Sequence, residues 1–293
     1  MNWLAELKAK VRKNESLKDK TTLRIGGQAR FFCRPDNEKD LKELVVAARK
    51  NKIPIFVLGA GSNILVSDKG VSGLVLKLDS AAFRKVSLRK NTLEAGSGVF
   101  LSQLIRKAVA SGLSGVEFLA GIPGTVGGAI IMNAGAWGED MAGITEKVKV
   151  MDYRGKIKFL EKKKIKFRYR NSGLNNYIIL GATLRLSGKE KAGISRRIKE
   201  YLDCRHNTQD NVSPNAGCIF KNPPGFSAGK LIDLCGLKGQ GTGGSRISKK
   251  HANFIVNKRN ARAKDILKLI RLIKREVKNK FNINLETEIK IWQ

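Results

Sequence analysis

Two glycine-rich segments hold most of the chemistry visible in the chain. The first, Gly59-Ala60-Gly61-Ser62-Asn63, follows an apolar run, Ile53-Pro54-Ile55-Phe56-Val57-Leu58, that reads as a buried strand. A tight turn of this kind exposes consecutive backbone N–H groups and can cradle an anion as a nest, with Ser62 and Asn63 as added donors. It lacks the dinucleotide fingerprint, which needs a third glycine and a helix immediately afterwards; the apolar, largely β-branched Ile64-Leu65-Val66 follows instead. An ordinary strand–turn–strand connection accounts for the same residues. The second segment runs Gly121-Ile122-Pro123-Gly124-Thr125-Val126-Gly127-Gly128-Ala129-Ile130-Ile131-Met132-Asn133-Ala134-Gly135-Ala136-Trp137-Gly138. Glycine at so many positions removes side chains where a ligand or another backbone comes close. Thr125 offers a hydroxyl, and the apolar residues suit a flat ring. Together the loops suggest a bulky phosphorylated cofactor, with backbone packed on backbone as the alternative.

Other kinds of site find little support. Cys33, Cys204, Cys218 and Cys235 form no CxxC pair or metal spacing, and His206 and His251 lack zinc-ligand spacing. We therefore expect no metal, and free thiols in a cytoplasmic protein. The chain has 293 residues, 42% of them hydrophobic, which is ample for a core and excludes disorder driven by low hydrophobicity. No run approaches the ~20 apolar residues that span a membrane, and Met1–Lys8 resembles the start of an amphipathic helix rather than a signal peptide. The formal net charge is +32, from 57 Lys+Arg against 25 Asp+Glu. Such a surplus favours encounter with anions, but it is spread along the chain rather than concentrated on a nucleic-acid module. Its densest runs are Glu161–Arg170 and Arg262–Lys280; in the latter Leu267, Ile270, Ile273 and Val277 alternate with basic residues, as on an amphipathic helix with one solvated face.

The elements that must position these residues read as follows. Helices are expected near 3–12, over Asp36–Lys50 with Asp36 as N-cap, over Leu101–Ala110, up to about His206, over 227–235 and over the basic stretch. Strands are expected at Ile53–Leu58, Ile64–Val66, Gly73–Leu78, Arg84–Leu88, Thr92–Ala95, Lys147–Tyr153, Lys156–Leu160, Tyr177–Leu186, 214–221, 253–256 and Asn284–Ile291. Helices and strands mixed without strict βαβ alternation indicate the α+β class. A polar change of texture at Ser187–Lys191 puts the domain boundary there, dividing the chain into 1–187 and 188–293.

Eight segments in order resemble the UDP-N-acetylenolpyruvoylglucosamine reductase family. They are Thr21–Gly27, Leu58–Leu65, Gly121–Ala129, Tyr169–Ser172, Pro214–Pro223, Ala228–Asp233, His251–Asn257 and Leu285–Ile289. The resemblance implies an FAD-binding domain of the vanillyl-alcohol-oxidase (PCMH) type from about residue 24 to 187, then a smaller α+β substrate-binding domain. The final strand would return a catalytic Glu to the active site. The implied reaction uses NADPH to reduce UDP-N-acetylglucosamine enolpyruvate to UDP-N-acetylmuramate, a peptidoglycan precursor. FAD contacts would come from Gly59, Ala60, Gly61, Ser62, Asn63, Ile64 and Leu65, and from Ile122, Pro123, Gly124, Thr125, Gly127, Gly128, Asn133, Ala134 and Gly135. The first loop resembles the pyrophosphate cradle, and the second runs along the flavin.

By motif, Arg170 and Glu288 match the family's catalytic Arg and Glu, and Cys218 holds the proton-donor position where many members have Ser. An enolate developing beside the pyruvyl carboxylate calls for a fixed cation, and the guanidinium fork can bind both oxygens while staying charged. The adjacent carbon then needs a positioned acid. A thiol, ordinarily near pH ~8.5, is a stronger acid than a hydroxyl, and it adds sensitivity to oxidation. Without the motif, Arg170 reads as a surface charge and Glu288 as a strand-edge charge. Lys221 and Asn222 resemble diphosphate and sugar contacts, and His251 lies where the family presents a polar side chain towards the substrate. Asp210 stands where relatives often have Pro, and Gly239–Gly244 is unusually rich in glycine; both leave local loop geometry open. The extra loop and Tyr of one subgroup have no counterpart, so the shorter subgroup matches better. The resemblance implies a monomer without nucleic-acid or membrane partners. Two other readings are a different oxidoreductase of the same flavin fold, and a basic nucleic-acid-binding scaffold that retained an inactive one.

Overall fold

The computed structural model describes residues 11–293. They divide into two compact units, each assembled from separated stretches of chain. The first contains residues 31–60 and 73–204 with residues 11–13; the second contains 14–30, 61–72 and 205–293. The expected cut at 187/188 differs from this in two respects. Most of the helix Lys191–Thr208 belongs to the first unit, where Ile194 is buried and Tyr201 stacks on Trp137 at 4.7 Å and 5°. Arg197 on the same helix pairs with Glu139 at 2.6 Å. The second difference is that two early stretches join the C-terminal unit, because Leu23, Ile25 and Leu65 are buried in its core. A change of texture along the chain carries no signal of either arrangement.

At the centre of the first unit is an antiparallel five-stranded sheet, in the order Ile157–Glu161, Thr145–Asp152, Tyr177–Arg185, Thr92–Gly96, Val86–Arg89. Both of its faces are covered. Ile178, Leu180 and Met151 join a core with Leu41, Leu44, Val45 and Ala48 of the helix Glu38–Lys50. Val148, Val150, Ile179 and Leu184 join another with the helix Leu101–Ala110. Burial on both faces explains why Tyr177–Leu180 is a continuous apolar run instead of an alternating one. The helix Glu38–Lys50 is capped by Asn37, not Asp36: Asn37 Oδ1 accepts from the N–H groups of Lys39 (2.9 Å) and Asp40 (3.0 Å), the positions an N-cap side chain serves. Ile55–Leu58 pairs in parallel with Val71–Lys77 and ends at the first glycine loop.

The second unit contains an antiparallel sheet in the order Asn215–Cys218, Phe254–Asn257, Ser245–Ile247, Gly241–Thr242. Against its core lies the amphipathic helix Ala263–Phe281, which buries Ile266, Leu269, Ile270, Ile273 and Val277. The Asp68 carboxylate accepts from the first N–H groups of this helix, Ala263 at 2.8 Å and Lys264 at 3.1 Å. An anionic cap there satisfies orphan donors and complements the helix dipole. The final strand is shorter than expected, Lys290–Trp292 only, and pairs in parallel with Ile64–Val66. The helix expected over 3–12 lies largely outside the described residues, and its last two positions belong to the strand Val11–Ser16. Among the described residues no helix is long and apolar enough to cross a membrane, and no group of three His, Cys, Asp or Glu is placed to hold a metal ion.

Candidate active site

In the first unit the two glycine loops meet. A Cβ on Gly59 would lie 2.7 Å from Thr125 Oγ1, so position 59 admits no side chain without displacing Thr125. Thr125 is buried and N-caps the helix Val126–Met132, a short helix that the periodicity of the glycine stretch hid. Gly127 is needed for close packing: its Cβ would stand 2.9 Å from Ser97 Cβ, and its N–H donates to Ser97 O at 2.9 Å. Val126 N–H likewise donates to Val99 O. The first donors of this helix are therefore engaged by the protein, and little of an anion nest remains there. Over Gly128, by contrast, a Cβ would meet only Thr125 Oγ1, at 3.7 Å. An open backbone face of this kind suits the approach of a planar apolar ring.

Asn133, expected among the cofactor contacts, instead commits its side chain to the protein. It lies in the left-handed region, donates to Asp140 Oδ2 (2.8 Å) and Arg168 O (3.1 Å), and accepts from Ala142 N–H (2.9 Å). Ser172 adds a second tie, donating to Ile131 O through its hydroxyl at 3.1 Å and its N–H at 3.2 Å. The turn Arg168–Asn171 is thus fastened to the C-terminal end of the helix that carries the second glycine loop. It is closed by Arg168 N–H to Asn171 O (2.7 Å) and Asn171 N–H to Arg168 O (3.1 Å). Arg170 occupies its third position with φ +54°, where glycine or asparagine is the usual residue. Its guanidinium lies 4.9 Å from the centre of the Tyr169 ring. A large side chain held at such a φ costs roughly 1 kcal/mol, and strain of this kind concentrates at functional positions.

The second unit brings together Cys218, Glu288 and Asn63. Asn215 pairs with Val256 and Cys218 with Phe254, so Ala216 and Gly217 together oppose Ile255 in a bulge. Gly217 at φ +71° makes that bulge possible, and Asn215 Oδ1 accepts from its N–H at 2.9 Å. Bulges re-aim the residue that follows, here Cys218. Directly beyond it, Phe220 bridges Thr287: Glu288 N–H donates to Ile219 O (2.8 Å) and Lys221 N–H to Glu286 O (2.9 Å). Glu288 lies between this bridge and the final strand. Asn63 reaches the same place, its Nδ2 donating to Glu288 O (3.3 Å) and its carbonyl accepting from Lys290 N–H (2.9 Å).

The expected substrate contacts have partners of their own. Lys221 Nζ lies 2.5 Å from Glu286 Oε1, and Asn222 Oδ1 accepts from Ala228 N–H at 3.0 Å, ahead of the helix Ala228–Leu234. His251 is half-buried against Phe254, and its Nδ1 accepts from Asn253 N–H at 3.2 Å, which leaves Nε2 as the protonated nitrogen of the neutral ring. Burial, then the Lys238 charge, depresses its pKa. Between the ordinary value of ~6.5 and the lower folded value, the unfolded chain binds the extra proton, so stability is lost as pH falls across that window. We expect His251→Gln to lose less stability than the parent between about pH 7.5 and 5.5, measured as the urea midpoint. An equal loss in both proteins would rule His251 out as the source.

The loop with Asp210 is held by hydrogen bonds in place of a proline ring. Its carboxylate accepts from Ser213 N–H (3.0 Å) and Ser248 Oγ (3.3 Å). Burial alone would raise its pKa, but the bonds from Ser213 and the Lys258 charge outweigh that and lower it. The glycine-rich loop near 239–244 packs tightly on its surroundings, and a Cβ on Gly244 would stand 2.1 Å from Arg259 O. Asn253 and Asn133 act through bonds to backbone distant in the chain, and Asp210 through Ser213 N–H and the Ser248 hydroxyl. Asn253 and Asn133 lie inside motifs already identified, which is the one signal that singles them out.

Comparison with known proteins identifies both parts of the chain. Residues 29–175 match an FAD binding domain, and 207–292 match the C-terminal domain of UDP-N-acetylenolpyruvoylglucosamine reductase. The chain is an oxidoreductase with an FAD-binding domain of the PCMH type followed by a reductase C-terminal domain. A UDP-N-acetylenolpyruvoylglucosamine reductase of Caldanaerobacter subterraneus subsp. tengcongensis is 42% identical over 95% of this chain and 92% of its own length. That of Moorella thermoacetica is 41% identical over 98% and 94%. The crystal structure of the enzyme from Thermus caldophilus aligns with a TM-score of 0.84 and 38% identity, over 98% of this chain and all of that one. The chain belongs to the UDP-N-acetylenolpyruvoylglucosamine reductase family.

Proposed function

We propose that this protein reduces UDP-N-acetylglucosamine enolpyruvate to UDP-N-acetylmuramate with NADPH, acting as a cytoplasmic monomer. The observation that carries the residue assignment is the bridge joining the Cys218 segment to the Glu288 segment, with Glu288 N–H donating to Ile219 O at 2.8 Å. FAD, held by the backbone of Gly59 and Gly128 and the Thr125 hydroxyl, would supply hydride transfer from NADPH to the vinyl methylene carbon. Arg170 steadies the charge that develops at the enolpyruvyl carboxylate, for which a fork that never deprotonates is suited. Cys218 gives its thiol proton to the adjacent carbon, and Glu288 holds the carboxylate end and shares the proton. Gly59, Thr125 and Gly128 offer the flavin backbone and hydroxyl surface, with Pro123 and Gly124 beside them; Lys221, Asn222 and His251 receive the sugar diphosphate.

Purified protein should carry a yellow flavin spectrum that NADPH bleaches and the enolpyruvyl sugar nucleotide restores. A protein that stays colourless after incubation with FAD, or a reduced flavin indifferent to that substrate, would overturn the proposal.

A further inference from the structure

We propose that Asn253 is a positioning residue for proton transfer: its side-chain amide locks the backbone of Phe220 and thereby fixes Cys218 against Glu288. The proposal rests on the reading of Cys218 as the proton donor. Asn253 is 2% exposed. Its Oδ1 accepts from Phe220 N–H at 2.9 Å and its Nδ2 donates to Phe220 O at 2.8 Å. Its own carbonyl accepts from Ile219 N–H at 2.8 Å.

The position of these bonds matters as much as their number. The ladder between Asn215–Cys218 and Phe254–Asn257 has its last pair at Cys218 and Phe254. Asn253 precedes that strand, in a turn, and beyond its carbonyl's bond to Ile219 N–H its backbone does not continue the ladder to Phe220. The side-chain amide does so, presenting one acceptor and one donor to the N–H and C=O of a single extended residue. Phe220's other side is occupied by the bridge to Thr287 that carries Glu288. Phe220 is thus held on both edges, by a side chain on one and by the Glu286–Glu288 backbone on the other. Cys218 lies at the end of the first pairing and Glu288 at the end of the second, so their register is set at Phe220. Removing the amide leaves a buried N–H and a buried C=O without partners, and these recover bonds only if the segment moves.

The test uses the holoenzyme and times the two half-reactions separately by stopped flow. In Asn253→Leu, flavin reduction by NADPH should stay within about twofold, while re-oxidation by the enolpyruvyl sugar nucleotide slows by about 10- to 100-fold with little change in its half-saturating concentration. Adding Asn253→Leu to Cys218→Ala should slow re-oxidation no further, because both changes act on one step. Asn253→Asp keeps the acceptor for Phe220 N–H but sets an oxygen against Phe220 O; once protonated, it donates again. Its re-oxidation rate relative to the parent should therefore rise as pH falls from about 8 to 6.

Equal slowing of both half-reactions, full additivity in the double variant, or unchanged re-oxidation would each overturn the proposal. If Asn253→Leu does not fold, Asn253→Asp is decided by the rate at which iodoacetamide alkylates Cys218, followed by peptide mass spectrometry. A rate unchanged from the parent overturns the proposal; a rate altered by about threefold or more supports it. This measurement is independent of turnover. Full product formation by Cys218→Ala alone would instead sink the proton-donor reading, whatever the alkylation shows about Asn253.

Discussion

Replacing Cys218 with alanine should leave NADPH bleaching of the flavin intact while product formation falls by about 10²- to 10⁴-fold, the usual contribution of a positioned acid. At 1.36 kcal/mol per tenfold, that is roughly 3–5 kcal/mol of transition-state stabilisation. Cys218→Ser should retain most turnover, because a hydroxyl at the same place in the bulge can still pass a proton. The thiol should also make the parent, and not the Ser variant, lose activity to iodoacetamide. The decisive measurement is single-turnover re-oxidation of reduced enzyme with product detected by mass. Product at the parental rate from Cys218→Ala would remove this residue from the mechanism. The bulge makes the experiment specific, because Ala216 and Gly217 oppose Ile255 whichever small side chain follows them.

The second large effect separates chemistry from stability at Arg170. Arg170→Ala and Arg170→Gly both remove the guanidinium, and each should lower kcat by about 10²- to 10³-fold, with NADPH-driven flavin reduction little changed. Their stabilities should differ. At φ +54° alanine keeps the Cβ penalty and glycine escapes it, so the Gly variant should be the more stable by about 1 kcal/mol. In a protein of this size that is about 2–4 °C in Tm, read by thermal denaturation of the two variants side by side. Arg170→Lys retains charge without the fork and should fall between the parent and the Ala variant. Equal Tm values for Gly and Ala would show that the turn is unstrained, and parental kcat in both would remove Arg170 from the site. The ties from Asn133 to Arg168 O and from Ser172 to Ile131 O keep the turn closed in either variant, so the comparison reports on one residue.

Local rules made much of this legible beforehand. The helix Leu101–Ala110 carries its buried residues at one-face spacing and has the bounds that spacing predicts. The basic stretch does fold as a helix with an apolar stripe, and its Lys and Arg residues are exposed, as expected of a solvated face. Where prediction missed, a non-local partner decided the outcome. The expected strand over 284–291 contracts to Lys290–Trp292, because only those residues find a parallel neighbour in Ile64–Val66. The helix inside the glycine stretch was hidden because glycine has poor helix propensity, and packing on Ser97 and Val99 outweighs it. The two glycine loops likewise held two readings. Gly59 and Gly127 are explained by close packing on Thr125 and Ser97, whereas Gly128 keeps an open face.

The sequence by itself determined the types of the reactive groups, their order, and the family that shares them. Arg170, Cys218 and Glu288 are recognisable because a motif is a local pattern of residue types, and so is the stripe on a helix. Only the tertiary structure decided which of these residues share a unit and how each is held. Asn63 reaches Glu288 across 225 positions, and Thr22 Oγ1 reaches Asn215 O across 193. Bonds over such separations leave no period in the chain. They form because buried backbone groups must find partners, and which partners lie within reach depends on the packing of the whole core. The same holds for the φ of Arg170, set by ties to a helix some forty residues earlier (the span from Ser172 to Ile131 is 41).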